Sequence, residues 1–106
     1  MPTKGHLARL VARPGGRDEL VAALQPMFAQ VEKEPGTLLY LMHISTEEPD
    51  VVWMYERFAD EAAFEAHAVS PIHSEVTKWL HELCLPGTEA YRVDLIAEKG
   101  LPAAPR

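Results

Sequence analysis

The sequence predicts an α+β fold with the ferredoxin-like order β-α-β-β-α-β, closed by a second copy of the chain into a dimeric α+β barrel. Three observations predict it. Proline and glycine clusters cut the chain into six main segments, the hydrophobic period switches between strand and helix in that order, and the two central strands are apolar on both faces.

Residues 6–12 alternate loosely and read as the first strand, ended by Pro14-Gly15-Gly16. Residues 17–34 place Leu20, Leu24, Met27, Phe28 and Val31 on one helical stripe. Pro26 falls inside this helix, where an interior proline costs about 3 kcal/mol. It projects almost opposite the stripe, so the helix is expected to persist with a bend convex toward solvent. Residues 37–45 (TLLYLMHIS) and 51–58 (VVWMYERF) form an antiparallel hairpin joined by the acidic turn Glu47-Glu48-Pro49-Asp50. A half-exposed sheet alternates cleanly between apolar and polar residues, and these strands do not. Two helices can cover one side; in a chain this short only a second copy remains to cover the other, so a homodimer is expected. Asp60 can cap the helix DEAAFEAHAVS, and Ser70 followed by Pro71 starts another turn, serine as cap and proline at the first helical position. The last helix carries Ile72, Val76, Trp79, Leu80 and Leu83 on one stripe, is stopped by Leu85-Pro86-Gly87, and leads to a final strand at residues 89–96. One domain over residues 1–100 and a Pro-Ala tail over 101–106 complete the layout.

Composition narrows the function. The 106 residues are 47% hydrophobic and 25% charged, the balance of a soluble globular domain with one core. A formal net charge of −6 argues against nucleic acid and against anionic membrane surfaces, which need a basic face. No apolar run approaches the roughly 18–20 residues that span a bilayer. Lys4, Arg9 and Arg13 interrupt the amino-terminal apolar segment, which therefore does not read as a signal peptide. A single cysteine, Cys84, excludes an internal disulfide and fits a reducing compartment, so a cytoplasmic protein is expected. Cys84 has no recognisable base beside it and reads as an inert thiol.

Several stretches carry a family resemblance: Pro14-Gly15-Gly16 leading into the first helix, EPGTLLY at 34–40, a third strand ending YERF at 55–58, and DEAAFEAH at 60–67. Together they span roughly residues 5–97, and the chain resembles the small dimeric α+β barrels of the antibiotic-biosynthesis monooxygenases, which include quinol monooxygenases. The resemblance implies oxygenation of a small phenolic, hydroquinone or aromatic polyketide substrate with O2, without any cofactor. Such chemistry asks for a base that removes a phenolic proton, and for a dry aromatic pocket.

His67 is the leading candidate for that base, since imidazole titrates near 6.5. It lies on the inward stripe of its helix with Phe64 and falls on the histidine of the family's acidic-helix motif. A core histidine bonded to a neighbour has the same signature. Glu56 is its natural partner: alternation puts it with Val52, Met54 and Phe58 in an apolar setting where an ionised carboxylate needs a donor. The pair either orients the imidazole and raises its basicity or is structural. Tyr40 matches the family's second-strand tyrosine, as a hydrogen-bond donor to substrate or a packed sheet residue. His43 faces the same way as Leu39 and Leu41 and is a second acid/base candidate. Trp53 and Tyr55 lie opposite Glu56 and read as interface or core residues. His73 sits on the flank of the last helix, at a pocket mouth or in solvent, and His81 points nearly opposite the stripe. Many relatives read Pro-His where this chain reads Pro71-Ile72-His73, a displacement of one residue.

Competing chemistries are weaker. Haem degradation on this fold uses an asparagine, a tryptophan and a histidine at positions that here hold Ala8, His67 and Val76. His67 and His73 span a helix break and lack the i, i+4 spacing that puts two metal ligands on one face, so no metal site is expected. A proton-transfer enzyme acting on a small carbonyl compound and a non-catalytic ligand-binding dimer are the remaining alternatives.

Overall fold

A computed structural model of the chain describes residues 4–101. The elements are β1 (Lys4–Val11), α1 (Arg17–Val31), β2 (Thr37–Ile44), β3 (Val51–Phe58), α2 (Glu61–Ala68), α3 (Pro71–Leu83) and β4 (Glu89–Asp94). The strands form one antiparallel sheet in the order β2-β3-β1-β4, with the helices on one face, as the ferredoxin-like reading requires. The second crossover is two helices, as the Ser70-Pro71 step predicts. Helix α1 ends at Val31 rather than 34, and β4 at Asp94 rather than 96. Residues 102–106 of the expected tail lie outside the described residues.

Local chemistry accounts for the helix boundaries. Gly15 takes a φ of 76° before α1, and Asp18 and Glu19 sit in its first turn, where the helix dipole favours negative charge. Pro26 lies within α1 on the solvent side, with Ala22, whose carbonyl it deprives of a partner, exposed to water as well. Asp60 caps α2 by accepting from the Ala63 amide at 2.8 Å. Ser70 caps α3 by accepting from the His73 amide at 3.2 Å, with Pro71 in the first turn.

The core lies between α1 and the sheet, around Leu20, Leu24, Met27, Val52 and Met54, with Phe58 fully buried nearby. One expectation fails here. Trp79 is 51% exposed, and Val76 is the buried centre of α3. Helix α3 packs chiefly on α1 and is rolled so that Ile72 and His73 lead inward, which leaves Trp79 at the rim beside Ala23 and Pro26.

Two irregularities position the site. The β2–β3 register shifts between Thr37 and Leu39, so that Thr37 pairs with Phe58, Leu39 with Arg57 and Tyr40 with Glu56. An extra residue reverses the side-chain parity, and the shift lets Thr37 and Tyr40 both face the helices. At Gly36, a Cβ would stand 2.5 Å from the Ala63 Cβ. The missing side chain therefore lets the turn after α1 press directly against α2.

Candidate active site

Beneath α2 the sheet carries a buried polar cluster drawn from six segments: His6 on β1, Glu34 in the turn after α1, Tyr40 on β2, Glu56 on β3, His67 on α2 and His73 on α3. His67 is its centre and is 2% exposed. Its Nδ1 lies 2.8 Å from Glu34 Oε1, and its Nε2 lies 3.5 Å from Glu56 Oε1. The second Glu56 oxygen, Oε2, lies 3.4 Å from His6 Nδ1.

Glu34 is held as a carboxylate. Burial opposes its ionisation, but hydrogen bonds from Gln30, His67 and Thr37 outweigh that cost and lower its pKa. Gln30 Nε2 donates to Oε2 at 2.7 Å, and Thr37 Oγ1 donates to Oε1 at 2.8 Å. A carboxylate has no proton to give, so the short contact assigns the proton to His67 Nδ1. In the neutral ring the lone pair is then on Nε2, directed toward Glu56. A ring fixed through one nitrogen by a carboxylate, with the other nitrogen basic, is the geometry of a general base.

The surroundings are aromatic. Tyr40, Phe58 and His73 place their ring centroids 5.6, 5.3 and 5.1 Å from that of His67. Phe28 packs edge-on to Tyr40, and Phe64 edge-on to Phe58. Burial, reinforced by the Glu56 and Glu34 carboxylates, pushes the Tyr40 phenol well above its ordinary value, so Tyr40 stays a neutral donor. Burial, reinforced by the neighbouring His67, lowers the pKa of His73 and favours its neutral form. The cluster opens toward solvent at His6, whose side chain is 23% exposed, with Phe64 nearby and the Arg92 guanidinium stacked 3.7 Å over the Phe64 ring.

The sequence candidates are distributed as follows. His67, Glu56, Tyr40, Phe64 and His73 come together. His43 does not: paired with Trp53, it lies exposed on the face away from the helices, because strand alternation turns it opposite to Tyr40. Glu56 sits beside His67 at the longer distance, while the shorter bond belongs to Glu34. Two members of the cluster, Glu34 and His6, were not anticipated. His6 shares strand parity with Ala8 and Leu10, which could have revealed it. For Glu34 the only signal was its place before Pro35-Gly36. Among the described residues no three His, Cys, Asp or Glu side chains are grouped to hold a metal ion. Two surface cavities, of about 510 and 430 Å³, lie away from the cluster, the first along Arg13, Leu80, His81 and Cys84, the second along Ala22, Ala23 and Trp79. Among the described residues no helix is long and apolar enough to cross a membrane.

Comparison with known proteins extends this picture. The family model for antibiotic biosynthesis monooxygenases matches residues 5–79. No curated protein matches the sequence. Among solved structures, a protein of unknown function from Nitrosomonas europaea is 27% identical over 97% of each chain, with a TM-score of 0.82. A protein from Mycobacterium tuberculosis is 23% identical over 91% of this chain and 97% of its own, with a TM-score of 0.83. A candidate antibiotic biosynthesis monooxygenase from Caulobacter crescentus is 21% identical over 91% of this chain and 92% of its own, with a TM-score of 0.83. The last two likenesses speak to the fold. With 75 consecutive residues inside the family match and the same fold in these structures, the chain belongs to the antibiotic biosynthesis monooxygenase family.

Proposed function

We propose that the protein is a homodimeric, cofactor-independent monooxygenase acting on a small phenol, hydroquinone or aromatic polyketide with O2, with His67 as the base. The observation that carries this reading is the Glu34–His67 bond, which fixes the imidazole and leaves its basic nitrogen among aromatic walls. His67 Nε2 takes the phenolic proton, and the Glu56 carboxylate stabilises the resulting imidazolium. The electron-rich anion then reacts with O2. One oxygen atom becomes a ring carbonyl at a carbon that carries two hydrogens in the keto tautomer, and the other leaves as water, so the substrate supplies the electrons. Tyr40 donates a hydrogen bond to the substrate oxygen; Phe64 and His73 bound the entrance. A second reading, isomerisation of a small carbonyl compound, is favoured by the same concentration of proton-handling groups and needs no oxygen.

The proposed dimer draws on the other face of the sheet. Leu41, Tyr91 and Val93 are exposed there, beside the half-buried Leu39, Trp53 and Tyr55. Pairing with a second copy would remove that apolar surface from water.

Oxygen uptake with a panel of hydroquinones, naphthols and anthrones tests the activity. His67→Gln should lower kcat about 10²–10⁴-fold, the usual worth of a general base. Hydrogen exchange into a carbonyl substrate without oxygen consumption would instead establish the isomerase reading, and ligand binding with neither reaction would leave a non-catalytic dimer.

A further inference from the structure

We propose that Glu56 and His6 form a proton path from the buried His67 ring to solvent, with His6 as its outer terminus. The inference rests on the reading of His67 as a base. It assigns His6 a role in moving protons, not in touching substrate.

A base that is 2% exposed cannot exchange protons directly with bulk water, yet it must be neutral at the start of every turnover. On the Nδ1 side Glu34 is 13% exposed, but bonds from Gln30, Thr37 and His67 itself hold it as a carboxylate that resists taking the proton. Nε2 faces Glu56 Oε1 at 3.5 Å, and Glu56 Oε2 faces His6 Nδ1 at 3.4 Å. Side-chain exposure rises along this line from 3% at His67 to 9% at Glu56 and 23% at His6. One carboxylate thus bridges two imidazoles, one buried and one wet.

The transfer balances. His67 Nε2–H gives its proton to Glu56 Oε1, leaving neutral imidazole and a carboxylic acid. The carboxyl turns about its Cγ–Cδ bond and presents the proton to the Nδ1 lone pair of His6. His6 releases a proton from its other ring nitrogen to water, the carboxylate is restored, and proton exchange with water at the exposed ring returns His6 to its starting tautomer. The register partner of His6 on β4 is Arg92, whose guanidinium stacks on Phe64 and pairs with Glu61 at 2.8 Å. His73 is a poorer exit. It meets His67 edge-on at 5.1 Å between centroids, and burial together with His67 disfavours its charged form. The other ionisable groups on the path's borders are Glu34 and the neutral Tyr40.

The test uses the full-length protein and needs no substrate. In ¹⁵N-labelled protein, the Nε2 proton that His67 carries as an imidazolium is followed by NMR, under conditions where that form is seen, and its exchange with water is measured. His6→Gln should slow it at least tenfold, free imidazole in the buffer should restore it in His6→Ala, and His73→Gln should leave it within twofold of wild type. His6→Asn repeats the measurement with a smaller side chain, which keeps the test decisive if His6→Gln does not fold. Unchanged exchange in the folded His6 variant, or an equal slowing in His73→Gln, would overturn the path. Failure of oxygen uptake with intact exchange would overturn the monooxygenase reading alone. Where turnover is found, His6→Gln should lower kcat with KM unchanged, and imidazole should recover it.

Discussion

The two faces of the sheet invert the usual rule of apolar inside and polar outside. Toward the helices the sheet carries a buried Glu56 and a partly exposed His6 with His67 above them; away from the helices Leu41, Tyr91 and Val93 stand exposed beside Trp53 and Tyr55. Buried polar groups and exposed apolar patches are the two informative departures from ordinary burial. Each costs free energy that a folded monomer alone has no need to spend. On the inner face the cost is met by satisfied hydrogen bonds, Glu34 alone accepting three. On the outer face nothing within residues 4–101 covers the patch fully, which is why the proposed second copy belongs there.

The outer face is the more sensitive of the two to a single change. Leu41→Lys places a charge within the proposed dimer contact, and about 3 kcal/mol lost there weakens association more than 100-fold. Sedimentation at micromolar concentration should show dimer for wild type and monomer for the variant. A monomeric wild type would remove the reason offered for the outer face.

On the inner face, Glu34→Ala strips the acceptor from His67, Thr37 and Gln30 together. Leaving buried donors unpaired costs about 1–3 kcal/mol, and a fall of that size is expected in urea unfolding, with the His67 ring no longer fixed. Gly36→Ala acts through the backbone. Its methyl would collide with Ala63, and over-packing costs about 1–3 kcal/mol unless α2 moves off the turn. Ala63→Gly should recover most of that loss in the double variant, a result that a general loss of chain flexibility would not give.

The smallest expected effect is on pH dependence. Glu34 has a folded pKa below its unfolded value, so its contribution is full above about 4.5 and is lost as pH falls through the folded value. His73 has a folded pKa below the unfolded value of about 6.5, so on acidification the unfolded chain takes a proton that the folded chain resists. Both signs agree: Tm should decline as pH drops below about 6.5 and decline further near the carboxylate range. His73→Gln should flatten the upper part of that decline, and Glu34→Gln the lower part. A Tm that rises between pH 7 and 5 would contradict the direction assigned to His73.

Much of the inner face was legible beforehand because its signals are local. The lone glutamate in VVWMYERF marked Glu56, the helical stripe marked His67 with Phe64, and Ser70-Pro71 marked the break between α2 and α3. The break itself was read as separating His67 from His73. In the structure the new helix brings His73 back against His67, because α3 turns toward α1 and leads with its first turn. Trp79 was misplaced for a related reason: a helical stripe fixes which residues share a side, while the roll of that side depends on the helix it packs against. His43 shares a side of β2 with Leu39 and Leu41, as the sequence indicates, and the packing puts that side on the face away from the helices.

The sequence by itself determined the element order, the helix caps, the two-sided apolar strands and the identity of the central histidine, since these follow from periods, capping groups and side-chain chemistry within a few residues. Only the tertiary structure decided that Glu34, 33 residues before His67, would be its closest hydrogen-bonding partner, and that His6 would share Glu56 with it. The reason is geometric. Gly36 lets one turn approach α2, the β2 register shift turns Thr37 and Tyr40 inward, and antiparallel pairing sets His6 opposite Glu56. None of these distances between remote segments is encoded in a local period, and all of them are fixed once the sheet and helices pack.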